Sequence, residues 1–94
     1  MPVHAVAALA LPAVPSARGR GVAAAALTAL TCFAWTITDL YRIELYIEPW
    51  NTGSAKTAER AGYEREGLLR SHQEIGGLRR DMLLYAIIRE NPPA

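Results

Sequence analysis

The stretch LYRIELYIEPWNTGSAKTAERAGYEREGLLR, Leu40 to Arg70, decides the fold. Its first part alternates: Ile43, Leu45 and Ile47 fall on one side, Arg42, Glu44, Tyr46 and Glu48 on the other. A period of two with one apolar side marks a strand half-buried in a sheet, here over Arg42–Glu48. Pro49-Trp50-Asn51 reads as a turn, and Asn51 is a suitable N-cap for a short helix over Thr52–Ala61. Gly62 stands where a helix needs a residue of positive φ to stop. From Glu64 to Glu74 the pattern is again a strand, interrupted at Gly67.

Downstream, Gly76-Gly77 signals a tight hairpin, because a type I′ turn needs positive φ at both central residues. Leu78 to Arg89 returns as a strand in which Met82, Leu84, Ala86 and Ile88 alternate with Leu83, Tyr85 and Ile87. Both of its sides are apolar, which places it inside a sheet covered on each face. Asn91-Pro92-Pro93 ends it. Upstream, Arg20 to Thr36 reads as a helix. Val22, Ala26, Ala29, Leu30, Phe33 and Ile37 recur at three- and four-residue spacing and form its expected inner face. Val6–Leu11 is a weak strand candidate that Pro12 and Pro15 cut off, so residues 1–14 are expected to be irregular or a weak strand. No internal repeat is present. The expected class is α+β, with a mixed sheet, two helices and the order helix-strand-helix-strand-strand over residues 15–90. Residues 91–94 form a tail.

The totals narrow the function. The chain has 94 residues and a net charge of +1, with basic residues scattered among acidic ones, so no nucleic-acid footprint is expected. Cys32 is the one cysteine, which excludes an internal disulfide and fits a reducing, cytoplasmic setting. His4 and His72 are far apart without cysteine companions, so no structural zinc site is expected. Met1 to Ala17 lacks the basic start of a signal peptide, and Val22–Thr38 is too rich in alanine and threonine for a membrane span.

Ala17 to Ala23, ARGRGVA, concentrates backbone freedom and positive charge just before the first helix. Unpaired N–H groups and the dipole at a helix start favour an anion, and glycine lets a bulky diphosphate approach. A nucleotide P-loop is excluded because no Gly-Lys-Ser/Thr follows. Gly19-Arg20-Gly21-Val22-Ala23-Ala24 fits G-x-G-x-x-A. The dinucleotide fingerprint, however, wants a strand running into its first glycine and an acid ending the next strand. Pro15-Ser16-Ala17-Arg18 intervenes, and Asp39 precedes the strand.

Arg18-Gly19-Arg20-Gly21-Val22-Ala23 fits R/Q-x-x-G-x-G/A, and so resembles the acetyl-CoA pyrophosphate loop of the GNAT superfamily of N-acetyltransferases. The spaced residues Leu40, Arg42, Ile43, Glu44, Leu45, Asn51, Ser54, Gly62-Tyr63, Glu66-Gly67 and Arg70 are similar to the RimJ/RimL-like branch, which acetylates ribosomal-protein N-termini. Gly77, Asp81 and Tyr85 match that branch's G-x-x-x-D-x-x-x-Y. The resemblance covers about Pro15 to Glu90. It implies a partial GNAT fold, the C-terminal half, with acetyl-CoA as cosubstrate and an amine such as a protein N-terminus as acceptor. It assigns the pyrophosphate to Arg18, Gly19, Arg20, Gly21, Val22 and Ala23, and the pantetheine arm to the gap where two strands splay, with Asn51 in contact. Asn51 can cap its helix as well. The tyrosine that many members use as an acid is replaced by Ala58. Ser54 is the branch's substitute, or a plain residue of the helix's first turn. The usual base, a carboxylate before the loop, has no counterpart. Glu66, Glu74 and Asp81 are either acid–base groups or solvated hairpin carboxylates. The family's N-terminal half, three strands and two helices, exceeds the length of this chain. An alternative to a truncated enzyme is thus a non-catalytic CoA-binding half-domain or gene remnant.

Overall fold

The computed structural model describes residues 5–10, 19–36 and 40–89. The elements are β1 (Ala5–Ala10), α1 (Gly19–Ala34), β2 (Leu40–Ile47), α2 (Thr52–Arg60), β3 (Glu64–Ile75) and β4 (Leu78–Ile88). They form one four-stranded mixed sheet in the order β1-β2-β4-β3. β1 runs parallel to β2, from Ala5↔Leu40 to Ala10↔Tyr46. β4 is antiparallel to both β2 and β3. The weak strand candidate is thus a six-residue strand, with one irregularity between Ala5 and Val6. It ends at Ala10, before Pro12 could remove a ladder donor, so a strand precedes the expected element order.

The alternation of β2 is realised as read. Ile43, Leu45 and Ile47 are at most 1 % exposed and meet Leu27, Ala58, Tyr63, Leu83 and Tyr85 in the core under the helices. α2 begins where Asn51 Oδ1 accepts the Ser54 N–H at 3.2 Å. It ends where the Tyr63 N–H reaches the Ala58 carbonyl and the Gly62 N–H the Glu59 carbonyl, both at 3.0 Å. This is the 6→1 and 5→2 closure of a Schellman motif, and Gly62 supplies its φ of +93°. Gly76 and Gly77, at φ +61° and +81°, make the β3–β4 turn.

Two expectations are corrected. The inner side of α1 is Ala24, Leu27 and Thr31, whereas Val22, Ala26, Ala29, Leu30 and Phe33 face outward. Ile37 lies outside the described residues. Thr31 can turn inward because its hydroxyl and that of Tyr63 are hydrogen-bonded at 2.7 Å, which leaves no buried polar atom unpaired. β4, second, is buried at Met82, Leu83, Tyr85 and Ala86, but Leu78–Asp81 are exposed. The pairing with β2 stops at Ile47↔Leu83, so the hairpin projects beyond the sheet and loses cover on one side.

Tyr85 is 2 % exposed at the centre of the core, and its hydroxyl donates to Glu59 Oε2 at 3.0 Å. Tyr85→Asp should destabilise the fold by about 3 kcal/mol, because it places a carboxylate in an apolar layer. Tyr85→Phe, which loses a bond to the exposed Glu59, should cost no more than about 1 kcal/mol. Thermal or urea unfolding of the two variants checks both. Equal midpoints for Tyr85→Asp and wild type would contradict the packing.

Candidate functional site

A parallel pair needs a crossover, and α1 supplies it, so α1 starts at the carboxyl end of β1. α2 starts at Thr52, five residues after β2 ends at Ile47, and the two helices pack on each other. Both helix N-termini therefore lie toward the carboxyl end of the parallel pair. In open sheets this is where ligands bind. α1 starts at Gly19, so Gly19-Arg20-Gly21-Val22 is its first turn, and no acidic residue is in it. The first N–H groups of a helix have no partner within it, and they and the helix dipole favour an anion. Gly21 is open: a Cβ built there meets nothing within 4 Å. Val22 is exposed and Ala23 half-buried. Arg18 lies outside the described residues, as do the side chain of Arg20 and the segment 11–18 where a gap between splayed strands would open.

Asn51 and Ser54, the other two residues singled out, lie at the start of α2 and are buried. Asn51 spends its side-chain oxygen on the cap, and Ser54 is the residue whose N–H it holds. Two of the three hairpin carboxylates are engaged in structure. Glu66 is the extra residue of a bulge between Arg65 and Gly67, and both its oxygens take Arg42, at 2.5 and 3.2 Å. Asp81 Oδ1 accepts the Ser71 N–H at 2.8 Å. Glu74 is exposed opposite Arg79.

Sequence reading missed a cluster on the sheet face away from the helices. Arg42 Nε donates to Glu44 Oε2 at 2.7 Å, and the Tyr46 hydroxyl donates to Glu44 Oε1 at 2.6 Å. The His72 ring stacks on the Tyr46 ring with centroids 4.9 Å apart. The Tyr46 hydroxyl and then Arg42 hold the Glu44 carboxyl below the ordinary carboxylate range. In return Glu44, with burial, pushes the Tyr46 phenol up. The alternation of β2 gives Arg42, Glu44 and Tyr46 one side, but nothing in the sequence brings His72 there. A cleft of about 650 Å³ lies at the far end of β2, lined by Trp35, Glu64, Glu66, Ile87 and Arg89 among others. It touches neither helix start. The start of α1, in contrast, offers backbone donors with no acidic residue in its first turn. Among the described residues no group of three or more His, Cys, Asp or Glu could hold a metal, and no helix is long and apolar enough to cross a membrane.

Comparison with known proteins places this arrangement. Residues 4–64 match the family model described as an acetyltransferase (GNAT) domain. The chain is 32 % identical over 71 residues to the uncharacterized N-acetyltransferase p20 of Bacillus licheniformis, covering 76 % of this chain and 40 % of that protein. It superposes on Mycobacterium smegmatis RimJ in complex with CoA-disulfide with a TM-score of 0.66 and 40 % identity, over 72 % of this chain and 32 % of the other. For the ribosomal-protein-S5-alanine acetyltransferase of Vibrio fischeri the TM-score is 0.68 and the identity 26 %, over 77 % and 39 % of the two chains. The chain thus spans about two fifths of the length of its curated relative. With a family model covering more than half of its residues and strands and helices in matching order, the chain belongs to the GNAT acetyltransferase family and carries part of that fold.

Proposed function

We propose that the chain binds acetyl-CoA at the start of α1 and serves an acetyl transfer to a primary amine, such as a protein N-terminus. The observation that carries the reading is the first turn of α1, with two glycines and no acid, set at the carboxyl end of a parallel strand pair. The pyrophosphate would rest on backbone N–H groups of Gly19 to Ala23, with Arg18 and Arg20 adding charge. Asn51 would meet the pantetheine arm, and Ser54 would give a proton to the leaving thiolate. The similarity to RimJ, whose structure holds CoA-disulfide, supports the cofactor. The similarity to ribosomal-protein acetyltransferases supports a protein N-terminus as acceptor. A cytoplasmic setting fits the lone, exposed Cys32.

A second reading, a CoA-binding half-domain without turnover, is favoured by one observation. β1 reads AVAALA, with no carboxylate on the strand where the family keeps its base. Positioning of amine against thioester can supply about 7–11 kcal/mol of a transfer barrier. A chain with two fifths of its relative's length holds fewer elements to do so. Binding and turnover should therefore separate.

Two outcomes are expected. Gly21→Asp should weaken acetyl-CoA binding at least tenfold, about 1.4 kcal/mol, because it sets a negative charge in the diphosphate cradle. The open space around Gly21 lets the variant keep its fold. Calorimetric titration measures this, and equal affinities would overturn the assigned loop. In thiol-release assays with Ser-, Thr- and Ala-initiated peptides, the chain should turn over well below about 1 per second. A rate at or above that value would show that this chain already holds the complete catalytic apparatus.

A further inference from the structure

β3 carries a second irregularity, between Leu69 and Gln73, whose partners Met82 and Arg80 are only two residues apart. Arg70, Ser71 and His72 therefore oppose Asp81 alone, and Ser71 takes φ +49°, a left-handed value that a non-glycine residue adopts at a cost. The bulge is pinned from β4. The Asp81 carboxylate accepts the Ser71 N–H, and the Arg79 guanidinium donates to the Ser71 carbonyl at 2.6 and 3.1 Å and to the His72 carbonyl at 3.3 Å. The result is that the His72 imidazole lies flat on Tyr46, reaching across β4 to a strand it does not pair with. Bulges recur where a side chain must be re-aimed beside an active site.

We propose that this face receives the acceptor amine and that His72 takes its proton, an inference that rests on the acetyl-transfer reading above. Three observations converge. First, Tyr46 pairs with Ala10, the last residue of β1, so the Tyr46–His72 stack stands toward the same sheet end as the two helix starts. It lies on the opposite face, where no helix among the described residues blocks approach to a thioester held from the helix side. Second, the chemistry of the neighbours singles out one base. Arg42 and Arg79 are cations, and Glu44 is a weakened base because its partners favour its anion. Glu66 and Asp81 are committed to Arg42 and Ser71. His72 is the one histidine among the described residues, and an imidazole nitrogen that carries no proton can accept one as a general base. Third, His72 is exposed, and no hydrogen bond from a described residue engages its ring nitrogens. In the step, a ring nitrogen of His72 takes one proton from the acceptor ammonium. The freed lone pair forms the C–N bond at the acetyl carbonyl, the C–S bond breaks, and the leaving CoA thiolate takes up the second proton that the nitrogen gives up as the amide forms. Glu44, which fixes the Tyr46 hydroxyl, and Asp81, which fixes the bulge, are positioning residues.

The test is the response of the His72 imidazole C–H signals in NMR, with CoA saturating, to the peptide Ser-Ala-Ala-amide and to its N-acetylated form. The free-amine peptide should shift the His72 signals and the acetylated form should not. Asp81→Ala, which releases the bulge, should weaken the peptide response at least fivefold while the CoA affinity stays unchanged. His72→Gln identifies the signals and covers the case in which Asp81→Ala unfolds the hairpin: it too should weaken peptide binding, followed through backbone amides, at least fivefold. If CoA binds but His72 stays silent, or answers both peptides alike, the acceptor assignment fails and the cofactor reading stands. If CoA does not bind in calorimetry, the cofactor reading fails, and this inference with it.

Discussion

β1 and β2 run side by side in the same direction, and that pairing determines where everything else can go. A chain that leaves one parallel strand must cross the sheet before entering the next, and here α1 makes the crossing. The crossing helix has its N-terminus toward the end where β1 stops. α2, capped by Asn51, starts just past β2 at that same end. The two helices share one face of the sheet, and their packing gathers Leu27, Ala58, Tyr63 and Tyr85 over Ile43, Leu45 and Ile47. The proposed anion site would thus be a by-product of topology, made of backbone groups before any side chain is chosen. Gly21, with open space where a Cβ would stand, adds no side chain to that end of the helix.

The other face is organised by polar bridges instead of helices. Arg42 on β2 reaches Glu66 on β3, although β4 lies between them, and Ala86, small and 3 % exposed, stands at the crossing. Tyr46 and His72 span the same strand one step further along. Each bridge depends on a bulge in β3, Glu66 in one case and Arg70–His72 in the other. Met82 and Ala86 on β4 are each 3 % exposed, and the bridging groups include those of the proposed proton transfer. Stability and the proposed acceptor chemistry therefore draw on the same residues.

The parts legible in the sequence were those with a short physical period. β2, the caps of α2 and the Gly76-Gly77 turn follow from alternation, from Asn51 and Gly62, and from positive φ. The face of α1 was not legible because Gly21 to Thr36 contains no charged residue to mark its solvent side. Two stripes were then nearly equivalent, and the one containing polar Thr31 won because Tyr63 satisfies its hydroxyl. The His72 stack was not legible either, since it depends on a bulge clamped by Asp81 ten residues away. Several residues that carry the family resemblance prove to hold the scaffold: Asn51 as cap, Gly62 and Gly77 at positive φ, Asp81 on the bulge, Tyr85 in the core. The structure shows why these motif residues keep their spacing.

Hydrogen exchange at individual amides, with and without CoA, tests the account most directly. CoA should slow exchange at Gly19 to Ala23 and at the start of α2, with the tip of the β3–β4 hairpin unchanged. Protection confined to the cleft beside Trp35 and Arg89, with the start of α1 unaffected, would contradict it.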